Sequence, residues 1–240
     1  MFDASAAFYD ELYSFRNFRT EANQALSLAR AATMRQVHSV LDLGCATGDH
    51  AAAMAAGGMA DVWGVDVDRR LVRQARQKHP KLRLRVADML TMRLGRVFDA
   101  ILCLYGVAAY ARTPPRLRTL ARNVTRHLSP GGVAVIQPWH MRGEYVPGPT
   151  ARVVELPHVR IARAAAAVVR GHRVVLKVAY VVERGGTLVA SDETHQLGLF
   201  SAQEYRDALI DAGLRVRWTA KGPGGHRGAF VAVKPMSARR

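Results

Sequence analysis

Apolar and polar positions alternate between two periods along this chain. SVLDLG (39–44), DVWGVDV (61–67), KLRLRVAD (81–88), FDAILCLY (98–105) and VAVIQP (133–138) are short apolar runs or strict alternations, which predict strands. Between them the period lengthens. Residues 20–36 carry Ala22, Ala25, Leu26 and Ala29 at helical spacing, and 48–57 predicts a second helix stopped by Gly57-Gly58. A basic helix over 68–78 takes Asp68 as its N-cap, and another opens at Pro114-Pro115 and runs to His127. SPGG (129–132) reads as a turn. Strands alternating with helices predict an α/β fold, a doubly wound and mostly parallel sheet covered on both faces.

Residues 139–199 break this rhythm. VVLKVAYVVE (174–183), Gly185-Gly186 and TLVASDETHQLGLF (187–200) predict two strands around a tight turn, and 151–169 has the pattern for two more. This is an antiparallel insertion over the fifth strand, expected to cap the substrate side of one domain spanning 1–240. Ser201-Ala-Gln-Glu204 is a capping box for a helix ending at Gly213. LRVRWTA (214–220) and GAFVAVK (228–234) complete seven strands as a hairpin pair at one edge.

Composition narrows the class. A chain of 240 residues that is 49% hydrophobic can build one sizeable core. No run approaches 18 apolar residues, and MFDASAAFYDELY has no basic stretch followed by an apolar one, so neither a membrane span nor a secretory signal is expected. Two cysteines make no disulfide framework and suit a cytoplasmic protein. The nine histidines show no HxxxH or HxH pair, so no metal site is expected. The net charge of +16 attracts polyanions. Its excess is almost all Arg, scattered along the chain, which genome composition alone can produce.

Three strand ends carry candidate chemistry. In VLDLGCATGDH (40–50) a strand ends near Asp42, and a Gly-rich turn leads into a helix whose N-terminus favours a negative group. Asp66 ends the next strand 18 residues past Gly48, where a carboxylate can accept both ribose hydroxyls of a nucleoside. A helix-capping role shared with Asp68 would use the same carboxylate. Asp88-Met89 ends the third. The loop reads G-C-A-T-G rather than G-x-G-x-x-G, which disfavours a dinucleotide.

These segments resemble the class I S-adenosylmethionine-dependent methyltransferases, whose loop is D/E-x-G-x-G-x-G. Asp42, Gly44 and Gly48 match, and Ala46 replaces the middle glycine. The resemblance implies S-adenosylmethionine as cofactor. It assigns to that cofactor Asp42, Gly44, Cys45, Ala46, Gly48, Asp66, Val67, Asp88, Met89 and Leu104, with Asp88 meeting the adenine amino group.

A narrower resemblance covers nearly the whole chain. YDELY (9–13), FDAILCLYGVAAY (98–110), QPW (137–139), ETH (193–195), LF (199–200), EY (204–205) and GHRGAFV (225–231) are similar to the N,N-dimethyltransferases that finish dTDP-amino sugars. It implies that Tyr13 packs on the cofactor and that the enzyme is a homodimer. Phe18 stands where that family often has a second Tyr. Gln137 replaces the Glu of Glu-Pro-Trp, and Tyr105-Gly-Val-Ala-Ala-Tyr110 replaces Phe-Ser-Ser-Ile-Gly followed by His or Tyr.

An aliphatic amine is mostly protonated at pH 7, with a pKa of about 10, so a proton must leave before it attacks a methyl group. Tyr110, at the end of the fourth strand, is the first candidate to orient the amine or take that proton, followed by His195 and His140. A nucleoside-diphosphate sugar needs cations, for which Arg227 and then Arg142 are candidates, while Trp139 and Tyr145 could pack on the base or the sugar. Two other readings stay open: methylation of another small natural-product acceptor, and a nucleic-acid-directed enzyme using the basic surface. The chain has no Asn-Pro-Pro-Tyr segment after the fourth strand, which weighs against RNA base methylation.

Overall fold

The computed structural model describes residues 4–225 and 227–236. His226 and the C-terminal SARR lie outside them. A 3-10 turn (Ser5–Phe8) leads into a one-turn helix, α1 (Tyr9–Leu12), and then α2 (Phe18–Arg30). Asn17 caps α2 by accepting from the Thr20 amide at 2.9 Å. The helix expected to reach residue 36 stops at Arg30 because the sheet captures the chain beyond it. The Thr33 hydroxyl donates to the Gly131 carbonyl, and Arg35 and the His38 amide donate to the Asp99 carboxylate.

The alternating series follows: β1 (Ser39–Leu43), α3 (Asp49–Ala56), β2 (Asp61–Asp66), α4 (Arg69–Lys78), β3 (Arg83–Val86), β4 (Phe98–Cys103), α5 (Pro114–His127) and β5 (Leu128–Ile136). Asp68 caps α4 through the Arg70 amide. Every residue of β1 and β4 is buried, as expected for strands covered on both faces. Ala22, Ala25, Leu26 and Met54 of α2 and α3 pack on one face of the sheet, and Leu117, Leu120, Tyr205 and Leu209 on the other.

The SPGG segment is no free turn. It lies inside β5 at an irregularity opposite Phe98–Ala100, where a Cβ on Gly132 would stand 2.8 Å from the Ser129 carbonyl oxygen. β3 is shorter than expected, leaving Asp88 on the turn that follows it.

Residues 150–198 form the antiparallel insertion read from the sequence, a separate sheet in the order β6 (Thr150–Leu156), β7 (Val159–Arg170), β8 (Arg173–Arg184) and β9 (Thr187–Gly198). Phe8, Leu12, Val178 and Tyr180 join its inner face to the N-terminal turns. The chain closes with α6 (Ala202–Asp211), β10 (Arg215–Thr219) and β11 (Ala229–Val233). The Ser201–Glu204 capping box is formed in both directions.

The seven-stranded sheet runs β10-β11-β5-β4-β1-β2-β3, parallel except for β11, so the closing hairpin sits at one edge as read from the sequence. Connections leave β1 in one direction and β4 in the other. The carboxyl ends of these two strands therefore flank the crevice where open α/β sheets bind ligands. Among the described residues no helix is long and apolar enough to cross a membrane, and none of their His, Cys, Asp and Glu form a cluster able to hold a metal ion.

Candidate active site

A cavity of about 1080 Å³ opens over those strand ends. The large sheet forms its floor. β6–β9 wall one side through Arg152, Arg163, Leu176, Tyr180, His195 and Leu197.

The floor is built by the turn after β1. Gly44 has φ +79°, and a Cβ there would run into the Val107 side chain, so only glycine fits. The amides of Gly44 and Cys45 both donate to the Val65 carbonyl. Ala46 also has a left-handed φ of +46°. The residue that departs from the family loop thus keeps a glycine-like backbone and carries the strain of a Cβ. Ala46→Gly is expected to raise stability by about 0.5–1 kcal/mol, read as a shift in the urea midpoint.

Asp42 is 2% exposed, and its Oδ2 has no hydrogen-bond partner among the described residues. Burial pushes its pKa up to about 6; Asp66 adds to the rise, while His50 and Arg16 oppose it. Asp66 accepts from the Ala46 amide through Oδ2 and from the Asp68 amide through Oδ1, each at 2.9 Å. Burial raises its pKa as well. Asp88 accepts from the Leu90 amide at 2.8 Å. A partnerless buried carboxylate in a roomy cavity is a site for a cationic group, and the three strand-end acids suit an amino acid joined to a nucleoside.

Of the residues read as cofactor contacts, Tyr13, Asp42, Gly44, Cys45, Ala46, Asp66, Val67, Asp88, Met89 and Leu104 line the cavity. Gly48 does not; with φ +85° it turns the chain into α3.

The residues read as acceptor contacts divide. Tyr110, His195, Trp139 and Arg227 line the cavity. Gly106, φ +82°, lies so close to Trp139 that a Cβ would stand 2.7 Å from the Trp139 Cα, which excludes a serine at this position. Gln137 donates to the Pro223 carbonyl at 2.7 Å, a bond that a carboxylate in its place could not give, and so ties down the loop that carries Arg227.

His140, Arg142 and Tyr145 are not brought to the cavity. His140 and Tyr145 pack on Trp139, their ring centroids 4.7 and 4.9 Å from that of the indole, and burial, then Arg227, lowers the His140 pKa to about 4. Arg142 pairs with Glu204 at 3.1 Å, beside the capping box.

The contacts that unite two clusters were not read from the sequence, although Tyr110 and His195 of the second were its leading catalytic candidates. On the cavity lining, Arg16 pairs with Glu21 at 2.6 Å, and its guanidinium lies 3.3 Å from the centroid of the Tyr105 ring. His50 meets the same carboxylate at 2.8 Å. Burial alone would raise the Glu21 pKa, but bonds from His50 and Arg16 bring it to about 2. Phe18 packs edge-on against His50. These residues lie on different elements, so only the fold unites them.

In the second cluster, Tyr110 Oη lies 3.0 Å from His195 Nδ1, and His195 Nε2 lies 3.0 Å from Glu193 Oε1. Burial opposes the charge on Glu193, yet bonds from His195, Tyr180 and Ser5 outweigh it and hold the pKa at about 2. Burial pushes the Tyr110 and Tyr180 hydroxyls far above their ordinary value.

Residues 40–132 match the methyltransferase domain family. The chain is 34% identical to dTDP-4-amino-2,3,4,6-tetradeoxy-D-glucose N,N-dimethyltransferase of Saccharopolyspora spinosa, over 95% of this chain and 92% of that protein. The crystal structure of DesVI of Streptomyces venezuelae superposes with a TM-score of 0.89 at 31% identity, covering 95% of this chain and 98% of that one. The S-adenosylmethionine-bound amino pentose methyltransferase of Micromonospora echinaspora gives 0.84 at 27% identity, covering 98% of both chains. The protein is an S-adenosylmethionine-dependent methyltransferase and belongs to the family of N,N-dimethyltransferases of dTDP-amino sugars.

Proposed function

We propose that this enzyme methylates the amine of a nucleotide-linked amino sugar in natural-product biosynthesis. The observation that carries the reading is one continuous cavity with acidic strand ends on its floor and Arg227 and Tyr110 on its walls. At about 1080 Å³ it is at the upper end of ordinary ligand sites, which suits two bulky ligands side by side.

When bound, S-adenosylmethionine supplies a methyl group already activated as a sulfonium. The protein's part is to position the ligands and to exclude water. Asp42 takes the cofactor ammonium, Asp66 the ribose hydroxyls and Asp88 the adenine amino group, while Tyr13 packs against them. The β6–β9 sheet acts as the substrate-side cap, and its Leu176 and Leu197, with Trp139, keep water from the reacting amine. Arg227, with Arg16 nearby, faces the diphosphate.

The +16 excess is almost all scattered arginine, with no contiguous Lys/Arg run of the kind that tracks a nucleic-acid backbone, so we keep nucleic acid as the lesser reading. We place the enzyme in the cytoplasm, where Cys45 and Cys103 stay reduced. The exposed Val153 and Val181 on the outer face of the cap support a homodimer.

Calorimetric titration with S-adenosylhomocysteine, then with dTDP in its presence, tests the site. Both are expected to bind, and Arg142→Ala is expected to leave both affinities unchanged. Binding of S-adenosylhomocysteine without dTDP would move the acceptor to another class of small molecule.

A further inference from the structure

Two arginines stand side by side on the inner face of the cap. Antiparallel register sets Arg152 of β6 opposite Arg163 of β7, and Arg163 opposite Tyr180 of β8, so the three side chains share that face. The rows beside them carry Val154 and Ile161 on one side and Ala165 and Val178 on the other, all buried. Both arginines line the cavity.

Like charges directly opposite one another weaken a strand pair unless something offsets them. Among the described residues, neither guanidinium is bonded to a carboxylate or a carbonyl. The carboxylate in the next row, Glu193, is taken up by Ser5, Tyr180 and His195 instead. Arg152 lies over the Phe15 ring, 4.0 Å from its centroid, a contact that steadies the side chain without cancelling its charge. The counter-charge that this row lacks is an anion from outside the fold.

We propose that Arg152 and Arg163 form a diphosphate subsite on the cap sheet, which holds the nucleotide-linked acceptor together with Arg227. The inference rests on the amino-sugar reading above. A diphosphate has two adjoining phosphoryl groups, each able to take a two-pronged guanidinium contact. It therefore matches two neighbouring forks better than a lone carboxylate does. In a nucleotide sugar each phosphoryl group keeps one negative charge, and Arg227 alone offsets only one of them.

The pair acts on the acceptor side of the cavity. Burial raises the Tyr13 hydroxyl above its ordinary value, and Glu193 adds to the rise, while Arg163, Arg16 and Arg152 oppose it. The two arginines therefore bear on the cavity beside Tyr13, from the cap wall and not from the floor that carries Asp42, Asp66 and Asp88. A free amino sugar offers them no counter-charge, so the cap selects the nucleotide-linked form.

Calorimetry on the intact chain tests the subsite, with S-adenosylhomocysteine and then dTDP as probes. Arg152→Ala and Arg163→Ala are each expected to weaken dTDP binding roughly tenfold, and the double variant roughly 100-fold. S-adenosylhomocysteine affinity stays within about twofold in all three. Arg163→Lys keeps the charge but loses the fork, and is expected to lose less than Arg163→Ala. With a dTDP-amino sugar, KM rises by the same factors while kcat stays within about threefold. The urea midpoint of Arg163→Ala without ligand is expected at or above that of wild type, because one of two opposed like charges is gone. If the double variant does not fold, the single variants and Arg163→Lys carry the test. Binding of dTDP within about twofold of wild type in both single variants overturns the subsite. So does a loss in Arg163→Lys as large as in Arg163→Ala, or an equal loss of dTDP and S-adenosylhomocysteine, the mark of a deformed cavity. A loss confined to S-adenosylhomocysteine would assign the pair to the cofactor carboxylate and overturn it too. A wild-type protein that binds S-adenosylhomocysteine but not dTDP overturns the nucleotide-linked reading, and the subsite with it.

Discussion

Asp42→Asn is expected to abolish cofactor binding while making the cofactor-free protein more stable. The two effects share one cause. Asp42 is held in a buried place where its Oδ2 has no partner among the described residues, and burial raises its pKa from 3.8 to about 6. A raised carboxyl pKa means the folded protein binds this proton more tightly than the unfolded chain does. The contribution of Asp42 to stability is therefore most favourable below pH 4, falls as pH rises from about 4 to 6, and stays lowered above that. The full difference is roughly 3 kcal/mol, and the isosteric amide should recover about 1–2 kcal/mol of it at pH 7.5. Urea unfolding without cofactor reads this gain. The charge that destabilises the empty site is the one that meets the cofactor ammonium. S-adenosylhomocysteine affinity should drop at least roughly 100-fold in the variant. In the wild-type protein it should weaken about tenfold for each pH unit below 6. A variant that binds within threefold of wild type would remove Asp42 from the site.

Arg227→Ala is expected to weaken dTDP binding by roughly 10–100-fold, the equivalent of losing one charge-assisted, two-pronged contact. Arg227 is partly buried, with no carboxylate bonded to it among the described residues, and burial, then Arg16, lowers its pKa although Tyr105 opposes this. A guanidinium kept against that cost is poised for an anion. Arg142, the other candidate from the sequence, already has Glu204, so its removal serves as the control. Equal losses in both variants would mean a diffuse field rather than a built subsite.

The core sheet and its acidic strand ends were legible because their signals are local. Strand, turn and helix around Asp42 and Gly44 fit in a dozen residues, and the next strand repeats the pattern at Asp66. The short α2 was not legible, because it is set by Arg35 and Asp99, 64 residues apart. The same holds for Arg16, Glu21, His50 and Tyr105, none of which stands out in its own segment. Glu193 was visible as the first residue of ETH, yet its partners Ser5 and Tyr180 come from other elements. The insertion misled in the opposite way. Between Trp139 and β6 there is no periodicity to say which side chains reach the cavity, and of this segment's described residues only Trp139 lines it. Ala46 looked like a lapse from the loop pattern, but its positive φ shows the backbone kept and only the Cβ added.

The most direct measurement is mass spectrometry of a dTDP-amino sugar incubated with the enzyme and S-adenosylmethionine. The account predicts products heavier by one and then two methyl groups, both located on the amine by fragmentation. A protein that binds S-adenosylhomocysteine and dTDP in the same cavity yet leaves the amine unmethylated would contradict it.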